Sequence, residues 1–315
     1  MPDLTAFAID LAGAHAACAI VRAGTILADK NLPADGGYCF ASLLPALNET
    51  LFGLLRTAQI DVADCSALVL GFPAIVSPRE KRVLATNNKF DDAPCLDLEA
   101  WCHREFGLPF LVENDARLAL LGEYRFGAAR GARDAVMVTL GTGIGGAAML
   151  DGRLLESRHG LAGTIGGHLP VAVGGRLCSC GNLGCAEAEA STAFLPEIYR
   201  HQRGGSEGIL AGRNAIVFAE LFEAMEAGDH AAMATFEHCL HVWSTLTVAL
   251  IHAFVPEVVV FGGAVLKRAA DILPRLQDYV NAHAWTQGRT VPLRAAALGS
   301  SAALLGAIPL LEYSL

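Results

Sequence analysis

The sequence predicts an α/β protein built from a duplicated unit. Two observations carry this: strand and helix patterns alternate from end to end, and the opening strand, Gly turn, strand pattern begins again near the middle of the chain. LTAFAID (4–10) is a short apolar run ending in a carboxylate, and HAACAIV (15–21) and TILADK (25–30) follow across tight turns as in an antiparallel meander. Residues 40–59 place Leu43, Leu44, Leu47, Leu51, Leu54 and Leu55 at helical spacing. ALVLGF (67–72) reads as a strand and 96–106 as a helix, and the strand LPFLVE (108–113) leads into the helical NDARLALLGEYRF.

At 135 the opening pattern restarts: AVMVTL (135–140), GTGIGG, GAAMLD (146–151), a Gly turn and RLLES. Helices are predicted over 213–227, 230–254 and 265–282, with the strand EVVVFGG (257–263) among them and a terminal helix after Gly299. Duplication of such a unit predicts two lobes around a cleft, with a Gly-containing turn from each lobe facing it.

Composition narrows the function. The chain has 315 residues and a formal charge of −9, which disfavours a nucleic-acid or anionic-membrane partner because either calls for a basic face. With 53% hydrophobic and 17% charged residues, disorder is excluded. No stretch reaches the ~18 uninterrupted apolar residues of a spanning helix, and MPDLTAFAID lacks the pattern of a secretory signal. A soluble cytoplasmic protein is expected. Six of the nine cysteines are scattered singly, so a disulfide framework is not indicated.

Four motifs carry chemistry. LGTGIGG (140–146) follows a strand, and its glycines permit positive φ and backbone N–H groups converging on an anion; a glycine-rich hairpin is the plain alternative. Asp10 ends the first strand beside a Gly turn, where a carboxylate holds Mg²⁺ through water or simply forms the turn. In ENDAR (113–117), Asn114 or Asp115 is a helix N-cap, or Asp115 is a general base for a substrate hydroxyl. His168, Cys178, Cys180 and Cys185 make a Cys₃His set, whose four protein ligands describe a closed, structural zinc site and argue against a zinc-dependent hydrolase; a coincidental cluster of reduced thiols is the plain alternative. Glu187 follows, in the first turn of the helix AEAEAS.

Together DLAGAH (10–15), GFPAIV (71–76), TNN (86–88), ENDA (113–116), GTGIGG (141–146), AGTIGGH (162–168), CSCGNLGCAEAEAS (178–191), PEVVVFGGAV (256–265) and LGSSAALLGA (298–307) resemble the ROK family of bacterial sugar kinases, repressors and open reading frames. The resemblance implies the duplicated actin-like/hexokinase (ribonuclease H-like) fold. It implies a small lobe over 1–116 completed by the C-terminal helix 299–315, and a larger, zinc-carrying lobe over 117–298. It implies ATP-dependent phosphorylation of a hexose or N-acetylhexosamine, with ATP, Mg²⁺ and structural Zn²⁺, in a homodimer or homotetramer. By the same resemblance Asp115 is the base; Asn88, Asn114, Asp115, His168 and Glu187 meet the sugar; and Asp10, Gly13, Gly141, Thr142, Gly143, Gly262 and Gly263 meet the nucleotide.

Three departures stand out. The family's first phosphate turn is usually Asp-x-Gly-Gly-Thr-Lys, but Ala12, Gly13, Ala14 and His15 occupy its last four positions, so a glycine, a hydroxyl and a lysine charge are missing. Thr164 replaces a sugar-binding glutamate, with an extra glycine before His168, and Arg117 stands where an asparagine is common. The altered turn favours a second reading, a catalytically weakened sugar-sensing or regulatory protein. A DNA-binding repressor is disfavoured by the acidic charge and by a chain that starts at the first kinase strand.

Overall fold

A computed structural model of the chain describes residues 4–12, 15–34, 39–86, 89–157 and 166–314. Asn88, Gly13 and Thr164 lie outside these residues. The chain divides into two compact units, one comprising Met1–Ala132, Arg153–Thr164 and Ala296–Leu315, the other Arg133–Gly152 and Ile165–Ala295.

The first unit opens with the predicted meander of β1 (Thr5–Ala12), β2 (His15–Arg22) and β3 (Thr25–Pro33), followed by α1 (Phe40–Ala58) and β4 (Ala67–Phe72). A small hairpin of β5 (Ile75–Ser77) and β6 (Arg82–Ala85), then α2 (Leu98–Phe106), β7 (Phe110–Asn114) and α3 (Asp115–Phe126), continue it. The sheet order is β3-β2-β1-β4-β7, with β1, β4 and β7 parallel. Successive strand residues face opposite sides. Phe7, Ile9 and Leu11 therefore share one buried cluster with Leu47 and Leu51 of α1 and Trp101 of α2. On the other face the small Ala6 and Ala8 leave room for the C-terminal helix (Ala302–Ser314), which packs on β1, β2, β4 and α3.

The lobe boundary differs from the expected one. It falls after Ala132 rather than 116, and the return to the first unit comes at Ala296. The cause is the antiparallel-style close contact of α3 with the C-terminal helix: a Cβ on Gly306 would lie 2.0 Å from the Leu118 carbonyl oxygen, so the backbones meet without side chains between them. Glu123, fully buried, adds a tether, its carboxylate accepting the N–H groups of Ala128, Ala297 and Leu298 at 2.6, 3.0 and 2.8 Å. A helix this tightly bound to the C-terminal element belongs with it.

The second unit repeats the plan. An antiparallel hairpin of β8 (Ala135–Leu140) and β9 (Ile144–Leu150) is followed by α4 (Ala186–Ala190), α5 (Leu195–His201), α6 (Phe218–Glu226) and the long α7 (His230–Phe254). Then come β10 (Val258–Gly262), α8 (Ala269–His283) and β11 (Leu293–Ala295), with β10 parallel to both β8 and β11. Asp229 caps α7 through the N–H groups of Ala231 and Ala232 at 2.8 and 3.0 Å. No described helix is long and apolar enough to cross a membrane.

Candidate active site

In the first unit the chemistry gathers where the parallel strands end. Asp10 of β1 is in register with Gly71 of β4, which pairs with Glu113 of β7, one residue before Asn114 and two before Asp115. The structure separates the two roles left open at ENDAR. Asn114 is the cap: its Oδ1 accepts the N–H groups of Ala116 and Arg117 at 3.0 and 3.3 Å, and its Nδ2 donates to the Ala74 carbonyl at 3.3 Å. Asp115 is thereby released from capping and stands at the first helical position.

Asp115 and Asp10 influence each other. Burial, then the charge of Asp115, pushes the Asp10 carboxyl up to about 8, opposed by the cation of Lys89. Burial also raises Asp115 above the usual carboxylate range, while backbone N–H groups and Lys89 pull it back. Asp10 Oδ1 is buried without a hydrogen-bond partner. Such an oxygen is a hard donor of the kind Mg²⁺ takes. Behind Asp115 lies a buried pair the sequence did not suggest: Arg117 Nε is 2.9 Å from Glu113 Oε1, and Arg117 donates to the Leu155 carbonyl at 2.6 Å.

In the second unit the glycine turn proves shorter than the motif. β9 begins at Ile144, so Gly145 and Gly146 lie in the strand, opposite Thr139 and Val138, and only residues 141–143 form the loop. The expected left-handed glycines are not seen there: Gly141, Gly143, Gly145 and Gly146 all lack positive φ. The Glu187 carboxylate fills the space beside Gly143, its Oε2 2.4 Å from where a Cβ at that position would stand. The turn is also held by Thr192 and Ala193, whose N–H groups donate to the carbonyls of Gly141 and Thr142 at 3.1 and 3.0 Å. Gly262 ends β10 beside Thr139, and Gly263, at φ +95°, closes against the Leu140 carbonyl.

The metal motif folds as a quartet. One ligand atom from each of His168, Cys178, Cys180 and Cys185 lies within 4.8 Å of the others. His168 Nδ1 is 3.5 Å from Cys178 Sγ, and Cys180 Sγ is 3.7 Å from Cys185 Sγ. A tetrahedral zinc at ordinary bond lengths needs edges of about 3.6 Å between sulfur and nitrogen and about 3.8 Å between sulfurs. The donor set and spacing fit that ion. Backbone bridges Pro170 to Cys185 and Leu177 to Leu183 set the loop's shape, and Cys185 immediately precedes α4, which carries Glu187.

The sequence model of the ROK family matches residues 6–313. The chain belongs to the ROK family. Among its relatives, a glucokinase of Thermotoga maritima is 31% identical over 89% of this chain and 89% of its own. The N-acetylgalactosamine kinase AgaK of a Shewanella species is 27% identical, over 96% of this chain and 94% of its own. A crystal structure of a ROK glucokinase from Streptomyces griseus, in complex with glucose and AMPPNP, superposes with a TM-score of 0.78 at 28% identity, covering 97% of this chain and 98% of that one. The actin-like/hexokinase fold expected of this ROK chain is thus the fold it has.

Proposed function

We infer that this ROK protein is an ATP-dependent sugar kinase whose general base is Asp115. The observation that carries the reading is the division of labour at the start of α3: Asn114 holds the cap, and Asp115, with a carboxyl raised by burial, is left out of the capping role. A raised carboxyl is a better proton acceptor near neutral pH than an ordinary aspartate. Relatives that are a glucokinase and an N-acetylgalactosamine kinase support a hexose or N-acetylhexosamine as acceptor.

Asp115 takes the proton of the attacking hydroxyl while that oxygen bonds to the γ-phosphorus. The bond from phosphorus to the β–γ bridging oxygen breaks, and ADP leaves with its electron pair. Asn88, Asn114, His168 and Glu187 are assigned to hold the sugar, so that the reacting oxygen is positioned before transfer. Asp10, Gly13, the loop Gly141–Thr142–Gly143 and Gly262–Gly263 are assigned to the phosphates and nucleotide. Asp10 would hold Mg²⁺, which when bound neutralises phosphate charge. His168, Cys178, Cys180 and Cys185 would hold a structural zinc that fixes the start of α4 and hence Glu187. The charge of −9 supports the absence of nucleic-acid and membrane partners, and the family resemblance supports a cytoplasmic homodimer or homotetramer.

A coupled assay of ADP release across a panel of hexoses and N-acetylhexosamines tests the reading. Turnover dependent on one sugar class is the expected result. Sugar binding without turnover would establish the sensor reading that the DLAGAH turn favours.

A further inference from the structure

The turn after β1 lacks the lysine usual at its end, and His15 in that place is exposed. A different lysine stands at the candidate centre. Two contacts flank Lys89: Thr86 Oγ1 donates to Asp91 Oδ1 at 2.6 Å, and Asp92 accepts the N–H groups of Phe40 and Ala41 at 2.6 and 2.9 Å, closing the N-terminus of α1. Phe90 between these anchors is buried at φ +57°, a left-handed backbone that costs a non-glycine residue free energy and persists only where its surroundings impose it. Its ring packs on Phe40 and Phe72 at 5.4 and 5.9 Å. Phe72 ends β4 and is in register with Asn114, so Phe90 lies at the same strand ends as Asp10 and Asp115.

Lys89 is half-buried there, its Nζ 5.0 Å from the Phe90 ring centre, and its charge acts on both Asp10 and Asp115. Held over Phe90, whose ring packs on Phe72 at the strand ends that carry Asp10 and Asn114, this cation is placed to meet what passes between the two carboxylates. If Asp115 meets the attacking hydroxyl and Asp10 faces the phosphates, that passing group is the phosphoryl in transfer, whose charge a fixed cation stabilises alongside the Mg²⁺ that Asp10 would hold. We propose that Lys89 is a catalytic residue whose Nζ contacts the transferring phosphoryl group and supplies, from outside the turn, the positive charge that DLAGAH lacks. The proposal rests on the kinase reading above. The transfer itself balances as already written; Lys89 keeps its proton and stabilises charge on the phosphoryl oxygens.

The test compares wild type, Lys89→Met and Lys89→Arg with the best sugar of the panel, following kcat, sugar affinity by calorimetry and thermal unfolding. Removing one such donor lowers kcat by roughly 10²-fold or more. We expect that loss in Lys89→Met with sugar affinity and unfolding temperature unchanged, and recovery of most of it in Lys89→Arg. Inhibition by ADP with aluminium fluoride, a mimic of the phosphoryl in flight, should weaken in Lys89→Met in step with kcat. A Lys89→Met protein with kcat within about threefold of wild type overturns the proposal. So does a loss shared by sugar affinity or unfolding temperature, which marks a sugar ligand or a structural residue. A wild type inert on every sugar removes the kinase reading and this proposal with it, whereas an active wild type matched by Lys89→Met removes only the proposal.

Discussion

The Glu187 carboxylate accepts the N–H of Ile144 at 3.0 Å, at the point where Gly143 leaves room for it by having no Cβ. One side chain thus joins the helix that follows the metal loop to the glycine turn assigned to phosphate. A Cβ in Gly143→Ala would displace the carboxylate and break that bond. A hydrogen bond to a charged group contributes about 1.5–3 kcal/mol, so KM for both ATP and sugar should rise about tenfold or more. Steady-state kinetics beside Glu187→Gln, which retains an acceptor oxygen, checks this; an unchanged KM for ATP would show that the turn does not depend on Glu187.

Asp115→Asn should keep the fold and most sugar affinity while kcat falls by roughly 10²–10⁴-fold, because an amide accepts no proton near neutral pH. Calorimetry and turnover on the same preparation measure both. Retention of more than about a tenth of wild-type kcat would remove Asp115 as the base.

The buried carboxyl of Asp10 makes stability depend on pH. Its value rises from an ordinary 3.8 to about 8, so between these limits the folded chain binds more protons than the unfolded one. Stability of the metal-free protein should therefore be fullest below about pH 4 as far as this group is concerned, fall as pH rises, and level off above about pH 8. Asp115, also raised, acts in the same direction. Thermal unfolding should show a higher midpoint for Asp10→Asn than for wild type at pH about 8, and added Mg²⁺ should raise the wild-type midpoint there. A wild-type midpoint that climbs from pH about 5 to 8 in step with Asp10→Asn would contradict the sign.

One zinc per chain is the expected outcome of metal analysis on protein purified without chelator. Cys180→Ser removes a thiolate from the quartet, so bound zinc, unfolding temperature and sugar affinity should fall together. Loss of zinc with sugar affinity intact would show that the quartet does not organise Glu187.

Glu123→Ala removes the buried carboxylate that accepts the N–H groups of Ala128, Ala297 and Leu298. The cost should be about 1.5–3 kcal/mol in urea unfolding, with Glu123→Gln milder because it keeps one acceptor oxygen.

Local features of this protein were legible before its structure. The β1–β2 and β8–β9 hairpins follow from apolar runs broken at tight turns, and the quartet from the spacing of His168, Cys178, Cys180 and Cys185. Features that depend on distant partners were not. Glu123 in sequence is an ordinary acid on a helix, and only the return of residues 297–298 makes it a buried acceptor. The lobe boundary moved for the same reason. Lys89 belongs to no spacing pattern; only the fold, through Phe90 packed on Phe72, brings it to the strand ends that carry Asp10 and Asn114. The cap at Asn114 was legible only as one of two adjacent candidates, because the choice rests on which side chain reaches Ala116 and Arg117.

The C-terminal helix, whose residues Ala302–Leu311 are all buried, has a consequence for the order of events at the ribosome. The second unit is interrupted by little of the first and ends at Ala295, so it can condense as soon as that stretch has emerged. The first unit, although its strands are translated earliest, keeps the Ala6–Ala8 face of β1 and the Gly122–Leu118 side of α3 uncovered until the last helix is released. The half whose strands come first in sequence is therefore closed by residues that follow the whole of the second unit.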